Sequence, residues 1–93
     1  MANVVFVQVA SGTVSAGTHT LTYYWKAPPY SVWALYAETF PAANGPLSYT
    51  AEITRQWEDF TYTSTEYKRR LNFTVKIVTN NTADFAVNAA RIY

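Results

Sequence analysis

The sequence predicts an all-β fold: a single antiparallel β-sandwich or flattened barrel of six to seven short strands, formed by residues 1–93 as one domain. Apolar and polar residues alternate with a period of two over several stretches, which is typical of strands with one buried face. Gly, Pro and Asn cluster between those stretches, where the chain must turn. No segment has the apolar spacing of an amphipathic helix of useful length.

Three stretches alternate clearly, and we expect half-buried strands over residues 18–26, 47–57 and 67–77. In the first, Tyr23 and Trp25 point inward and Tyr24 points outward. In the third, the expected buried side chains are Leu71, Phe73, Val75 and Ile77. In the second, one face collects Leu47, Tyr49, Ala51, Ile53 and Trp57.

Three other stretches are apolar on both faces. Residues 3–10 are almost continuously apolar, which predicts a central strand or one covered on both faces. Residues 83–93 change their apolar face near Ala89 and Ala90, so we expect either a β-bulge there or burial of both faces in a subunit contact. Residues 30–40 also have two apolar faces, so one of their aromatic sets does not fit in the core unless the strand is covered on both sides.

Turn chemistry separates the strands. Residues 11–17 suit a hairpin or an extended corner. Ala27–Pro29 cannot belong to a central strand, because its two prolines lack the backbone N–H groups that donate hydrogen bonds to a neighbouring strand. Residues 41–46 carry Asn-Gly between prolines, and residues 79–82 form a second tight turn. Residues 58–66 are expected to be a long hairpin end or a short extra strand.

Composition excludes several classes of site. The chain has no cysteine and one histidine, His19, so disulfides and a structural zinc cluster are excluded, and we expect no metal and no cofactor. A nucleophilic triad needs a histidine beside Ser or Thr, and His19 is expected to be structural or exposed. Glu58 and Asp59 are adjacent, so in a strand they point to opposite faces rather than across a cleft. We therefore expect a protein that is not an enzyme.

Charge and hydropathy restrict the partners. Seven Lys/Arg against six Asp/Glu argue against duplex nucleic acid, which needs clustered positive charge. The only basic run is residues 68–70, and in a strand Arg69 points away from its two neighbours. No apolar run reaches the roughly 20 residues that span a bilayer. No signal peptide is recognisable, so the expected location is cytoplasmic, or outside the cell by a route without a classical signal.

The aromatic residues carry the functional prediction, since six rings lie within residues 23–36. Surplus Tyr and Trp beside polar groups favour a non-catalytic, lectin-like module that binds carbohydrate or another small polar ligand. The expected stacking rings are Tyr24, Tyr30, Trp33 and Trp57, and the expected hydroxyl partners are Glu58, Asp59 and Asn44.

We expect a homo-oligomer with either function, because the chain is small and two strands, residues 30–40 and 83–93, are apolar on both faces. The alternative function is a structural or assembly subunit whose aromatic residues form the subunit interfaces. Residues 56–62 mix rings with polar groups and favour the first reading, whereas residues 30–40 mix rings with apolar groups and favour the second. The cysteine-free strands, rich in Thr and Tyr, resemble in composition several lectin-like sandwiches and small phage or toxin assembly modules. No motif is specific to either group, so this likeness assigns no residue a role.

Overall fold

A computed structural model describes residues 5–28, 30–62, 64–65 and 67–93, apart from the side chains of Tyr62 and Tyr67. Six strands run through these residues: β1 (Phe6–Val14), β2 (Gly17–Trp25), β3 (Trp33–Pro41), β4 (Tyr49–Tyr62), β5 (Tyr67–Thr79) and β6 (Ala83–Arg91). They form two antiparallel three-stranded sheets that pack face to face. The predicted all-β sandwich is confirmed.

The first sheet has the order β1-β6-β3 and the second the order β2-β5-β4. The chain passes between the sheets at four connections, and three of them, residues 15–16, 42–48 and 80–82, lie at one end of the molecule, the corner end. The opposite end, the hairpin end, holds the β2–β3 connection and the β4–β5 hairpin. Residues 58–62 belong to that long hairpin, as one of the two expectations had it, while residues 63 and 66 lie outside the described part.

The core lies between the two central strands, β5 and β6. Four side chains of β5 are fully buried: Leu71, Phe73, Val75 and Ile77. Tyr23 of β2 packs its ring against Phe73 and Phe85, with centroid distances of 5.9 and 6.2 Å. The alternation predicted for residues 18–26 and 67–77 is therefore confirmed, and it follows from burial of one face of each strand.

The expectation for residues 3–10 is wrong in the part that is described, because β1 is an edge strand. Its pairing with β6 shifts by one residue between Gln8 and Ala10, so Val9 is an extra residue in β1. Apolar residues therefore occur at both odd-numbered and even-numbered positions of this strand. The bulge expected at residues 89–90 is also wrong. β6 pairs with β3 without a break from Ala83 to Arg91, and Ala90 lies on the outer face.

β3 divides its two apolar faces between the core and the outside. Trp33 is buried, and Leu35 and Ala37 are partly buried on the inner face. Tyr36 lies on the outer face, where its ring meets Phe6 of β1 edge to face at 6.4 Å across β6. The outer face of the first sheet therefore carries exposed rings among polar side chains such as Asn88, Glu38 and Asp84.

Candidate functional site

A β-bulge in β4 decides which side chains reach the outer face of the second sheet. Between the positions that pair with Val75 and Thr74, β4 carries one extra residue, Thr54. An extra residue exchanges the two faces of every position that follows it. Trp57 therefore lies on the outer face, and the expectation that it shares a face with Ile53 and the residues before it is wrong.

Tyr24, Asn72 and Trp57 form one row across this outer face, because Asn72 on β5 pairs with both of the others. Neighbouring strands lie about 4.8 Å apart, so the two rings stand roughly 10 Å apart with the amide between them. Tyr24 is 57% exposed, whereas Asn72 is 7% exposed and forms the floor. Two of the predicted stacking residues thus come together on one surface.

The next row brings a carboxylate to the same surface. Asn72 Nδ2 donates a hydrogen bond of 3.0 Å to Asp59 Oδ2, and Arg70 Nη2 lies 3.4 Å from the same oxygen. Asp59 pairs with Arg70 across β4 and β5. The predicted hydroxyl partner Asp59 is therefore held next to the aromatic row.

Each ring of the row is accompanied by an arginine. The guanidinium carbon of Arg55 lies 4.4 Å from the Trp57 ring centroid, and that of Arg70 lies 4.9 Å from the Tyr24 ring centroid. Such cation–π contacts hold the side chains upright on the sheet. We call the set Tyr24, Arg55, Trp57, Asp59, Arg70 and Asn72 the outer-face patch.

A cleft of about 480 Å³ continues the patch toward the hairpin end, and we call it the basic cleft. Its lining includes four cationic side chains and one carboxylate: Lys26, Lys68, Arg69, Arg70 and Asp59. Trp25 pairs with Leu71, so the chain leaves β2 with Lys26 beside Arg70. The sequence revealed the run 68–70 but not the approach of Lys26, which depends on strand pairing.

Glu58 lies on the opposite, inner face of the sheet and forms an ion pair with Arg69 Nη2. Arg69 Nη1 donates to the carbonyl oxygens of Pro28, at 3.1 Å, and of Ser31. This network ties the β2–β3 connection to the hairpin. Glu58 is therefore separated by the sheet from Asp59, as the alternation of a strand requires.

Trp33 is 6% exposed, so the expectation that it offers a stacking surface is wrong. Its ring stands edge to face against Trp25, with a centroid distance of 4.9 Å and an interplanar angle of 89°. The indole Nε1 donates to Ser31 Oγ at 2.7 Å, and that hydroxyl donates to the carbonyl of Pro28 at 2.6 Å. The ring fills the hairpin end of the core with its polar atom satisfied.

Tyr30 is exposed and has a φ of 58°, in the left-handed region. It lines a second cleft of about 470 Å³ together with Glu58, Arg69 and Tyr93. Three of the predicted site residues, Tyr30, Glu58 and the buried Trp33, thus line a cleft that the second sheet separates from the outer-face patch.

Asn44 lies at the corner end, where its carbonyl accepts a hydrogen bond of 3.2 Å from Asn81 Nδ2. The path along β4 from Tyr49 to Trp57 spans roughly 26 Å at about 3.3 Å per residue. The structure therefore does not bring Asn44 together with the other predicted residues.

Within the described ranges no group of three or more His, Cys, Asp or Glu side chains is placed to hold a metal ion. The described residues also contain no helix of the length and apolarity needed to cross a bilayer. Comparison of the chain with protein-family models, with curated proteins and with solved structures gives no match in any of the three. The site is therefore interpreted from its own geometry.

Proposed function

We propose that the protein is a non-catalytic module that binds carbohydrate through the outer-face patch. The observation that carries the proposal is the row of Tyr24, Asn72 and Trp57, two rings on one face with an amide between them. A pyranose has an apolar C–H face that stacks on a ring and hydroxyl groups that bond polar side chains, so it matches the two rings and the amide of this row.

The polar groups of the patch suit hydroxyl ligands. Asp59 provides acceptor oxygens, and the guanidinium groups of Arg55 and Arg70 provide donors. The floor beside the row is hydroxyl-bearing, since Thr22 Oγ1 and Thr74 Oγ1 lie 3.1 Å apart on the same face. Each guanidinium covers one face of its ring, and the remaining exposed surface of Tyr24 is open to a ligand.

Binding of the labelled protein to a broad glycan array tests this proposal. We expect a reproducible group of related sugars, and we expect Trp57→Ala and Tyr24→Ala each to weaken binding about tenfold, because each removes one stacking surface. Tyr30→Ala is the matched control, since it removes an exposed ring from the other cleft. Binding that both patch variants retain would place the site elsewhere, and a folded sample that binds no sugar would contradict the function.

A second candidate function is self-association, favoured by the exposed aromatic rings on the outer face of the first sheet. Phe6, at 58% exposed, and Phe40, at 46%, stand on the two edge strands, while the central strand β6 presents Ala86 and Ala90 between them. Exposed rings that pack together, as Phe6 and Tyr36 do, are typical of interaction sites. We propose a second copy of the chain as the occupant.

The dimensions of the face suit a small homodimer. Three strands of nine residues give a footprint of about 14 by 30 Å, so two copies bury on the order of 1,000 Å² in total, the lower limit for a specific interface. The two copies can be related by a two-fold axis that lies in the plane of the face and runs perpendicular to the strands. With this axis the large rings of one copy contact small residues of the other: Phe6 contacts Thr13, and Phe40 contacts Ala34.

This arrangement makes a charge-specific prediction. It places Tyr36 opposite Glu38 of the second copy. In Tyr36→Glu two carboxylates face each other, so we expect this variant to abolish the dimer. In Tyr36→Lys a cation faces Glu38, so we expect this variant to retain the dimer. Light scattering during gel filtration measures the mass at increasing concentration. A wild-type mass that stays monomeric throughout would overturn the dimer, and equal loss with both variants would overturn the orientation. Trp33→Ala tests core packing rather than the dimer, because that ring is buried.

A further inference from the structure

We infer that the outer-face patch binds an internal segment of a β-1,4-linked polysaccharide of gluco configuration, which lies across the strands and stacks on both rings at once. This inference rests on the proposed function and adds the class of the ligand. The observation that carries it is the placement of Tyr24 on β2 and Trp57 on β4, the two edge strands of the second sheet, on either side of Asn72.

The distance between the two rings exceeds what one sugar unit covers. Tyr24 and Trp57 are two strand spacings apart, roughly 10 Å. A pyranose unit with its linkage oxygen is about as long as one strand spacing, so a single unit stacks on one ring only. Three consecutive units are therefore needed to occupy both rings, and the middle unit lies above Asn72, whose buried side chain forms the floor.

The linkage follows from two requirements of the row. The chain must run straight over three units, and its first and third units must have the same orientation because both rings stand on one face of the sheet. A β-1,4 linkage between gluco sugars joins equatorial bonds, so the chain is extended and alternate units are equivalent. An α-1,4 linkage includes an axial bond that bends the chain into a helix, so its units leave the row.

Polar side chains border the aromatic row on both sides, which suits a flat sugar chain. Asp59 and Arg70 form the neighbouring row toward the hairpin end, and both are half exposed. Thr22, Thr74 and Arg55 form the neighbouring row toward the corner end. In an extended gluco chain the hydroxyl groups are equatorial and point sideways, so they face these two polar rows while the axial C–H bonds face the rings.

The aromatic row is open at both ends. Among the described strands, none lies beyond Tyr24 on β2 or beyond Trp57 on β4. A polysaccharide can therefore continue past both rings, whereas a site for the end of a chain is a concave pocket that encloses most of the last unit. This open arrangement favours an internal segment of the polysaccharide.

Isothermal titration with oligosaccharides of increasing length tests the inference. The probes are the di-, tri- and tetrasaccharides of β-1,4-linked glucose and of β-1,4-linked N-acetylglucosamine, with the α-1,4-linked glucose series as the comparison. In at least one β-linked series we expect the trisaccharide to bind about tenfold more tightly than the disaccharide, because it is the shortest chain that reaches both rings. The tetrasaccharide adds a smaller gain. We expect the α-linked trisaccharide to bind about tenfold more weakly than the β-linked one.

Two substitutions of one ring separate contact with both rings from stacking on one. We expect Trp57→Ala to lower the affinity for the trisaccharide to that for the disaccharide, because Tyr24 alone remains. Trp57→Phe keeps a ring at this position and retains most of the difference. Tyr30→Ala is the control and changes neither affinity, since its ring lines the other cleft.

The outcomes separate the inference from the proposed function. Equal affinities for the di- and trisaccharide in both β-linked series would overturn the inference, as would a gain that Trp57→Ala retains. Equal binding of the α-linked and β-linked trisaccharides would overturn the linkage. If none of these probes binds but another sugar on the array does, the inference fails and carbohydrate binding stands. If no sugar binds to the folded protein, the proposed function fails as well.

Discussion

Arg69 and Arg70 are neighbours of one residue type that β5 sends to opposite sides of the sheet. Arg69 points inward and bonds Glu58 and the connection that contains Ser31, whereas Arg70 stands outward over Tyr24. Strand alternation predicts these opposite directions from sequence. It does not predict the partners, because the approach of the connection to β5 is a contact between segments distant in the chain.

The two arginines make a matched test of stability. Arg69→Met removes the donors that satisfy two carbonyl groups and leaves Glu58 without its ion-pair partner, so we expect the free energy of unfolding to fall by about 2 kcal/mol. Arg70→Met breaks an exposed pair at 3.4 Å and is expected to cost less than about 1 kcal/mol. Urea unfolding followed by tryptophan fluorescence measures both. Equal losses would mean that the inward network adds nothing beyond a surface ion pair.

At the scale of elements, alternation located the strands but not the bulges. The signal in β4 was Arg55, a charged residue on what would otherwise be the apolar face of Tyr49, Ala51 and Ile53. A charged residue at this position indicates that the strand changes its buried face there, which predicts that Trp57 lies on the outer face. In β1 the adjacent apolar pair Val9 and Ala10 is the corresponding signal. The edge position of β1 had no local signal, since strand order is set by long-range pairing.

Deleting single residues of β4 tests the bulge. Deletion of Thr54 joins two positions that already pair with consecutive residues of β5, so Trp57 stays outward and we expect a loss of at most about 1 kcal/mol. Deletion of Glu52 also makes β4 regular, but it exchanges the faces of Ile53 and Thr54 and is expected to cost about 2 kcal/mol. Urea midpoints compare the two proteins. A larger loss from deleting Thr54 than from deleting Glu52 would contradict the assigned register.

At the scale of the whole molecule, the two sheets present unlike outer surfaces. The second sheet shows an aromatic row with positive charge, and the first shows exposed rings, bounded by Phe6 and Phe40, among polar side chains. The sequence indicated surplus aromatic residues without dividing them between these surfaces, because both faces of residues 30–40 are apolar. It therefore placed Trp33 among exposed rings and grouped Asn44 with a site at the other end of the molecule.

Under the two proposals, each surface has a separate role. A dimer formed through the first sheets places two outer-face patches on opposite sides of the assembly, so that both remain accessible to ligand. Multivalent ligands would then bind more tightly than single saccharides without any additional contact.

The central claim is that the outer-face patch binds carbohydrate, and NMR titration of the isotope-labelled protein with a saccharide from the array tests it most directly. We predict that shift changes concentrate on β2, β4 and β5 around the row, with the side-chain amide signals of Asn72 among the most affected. Changes confined to the cleft of Tyr30 and Tyr93, or to the outer face of the first sheet around Tyr36, would contradict the claim.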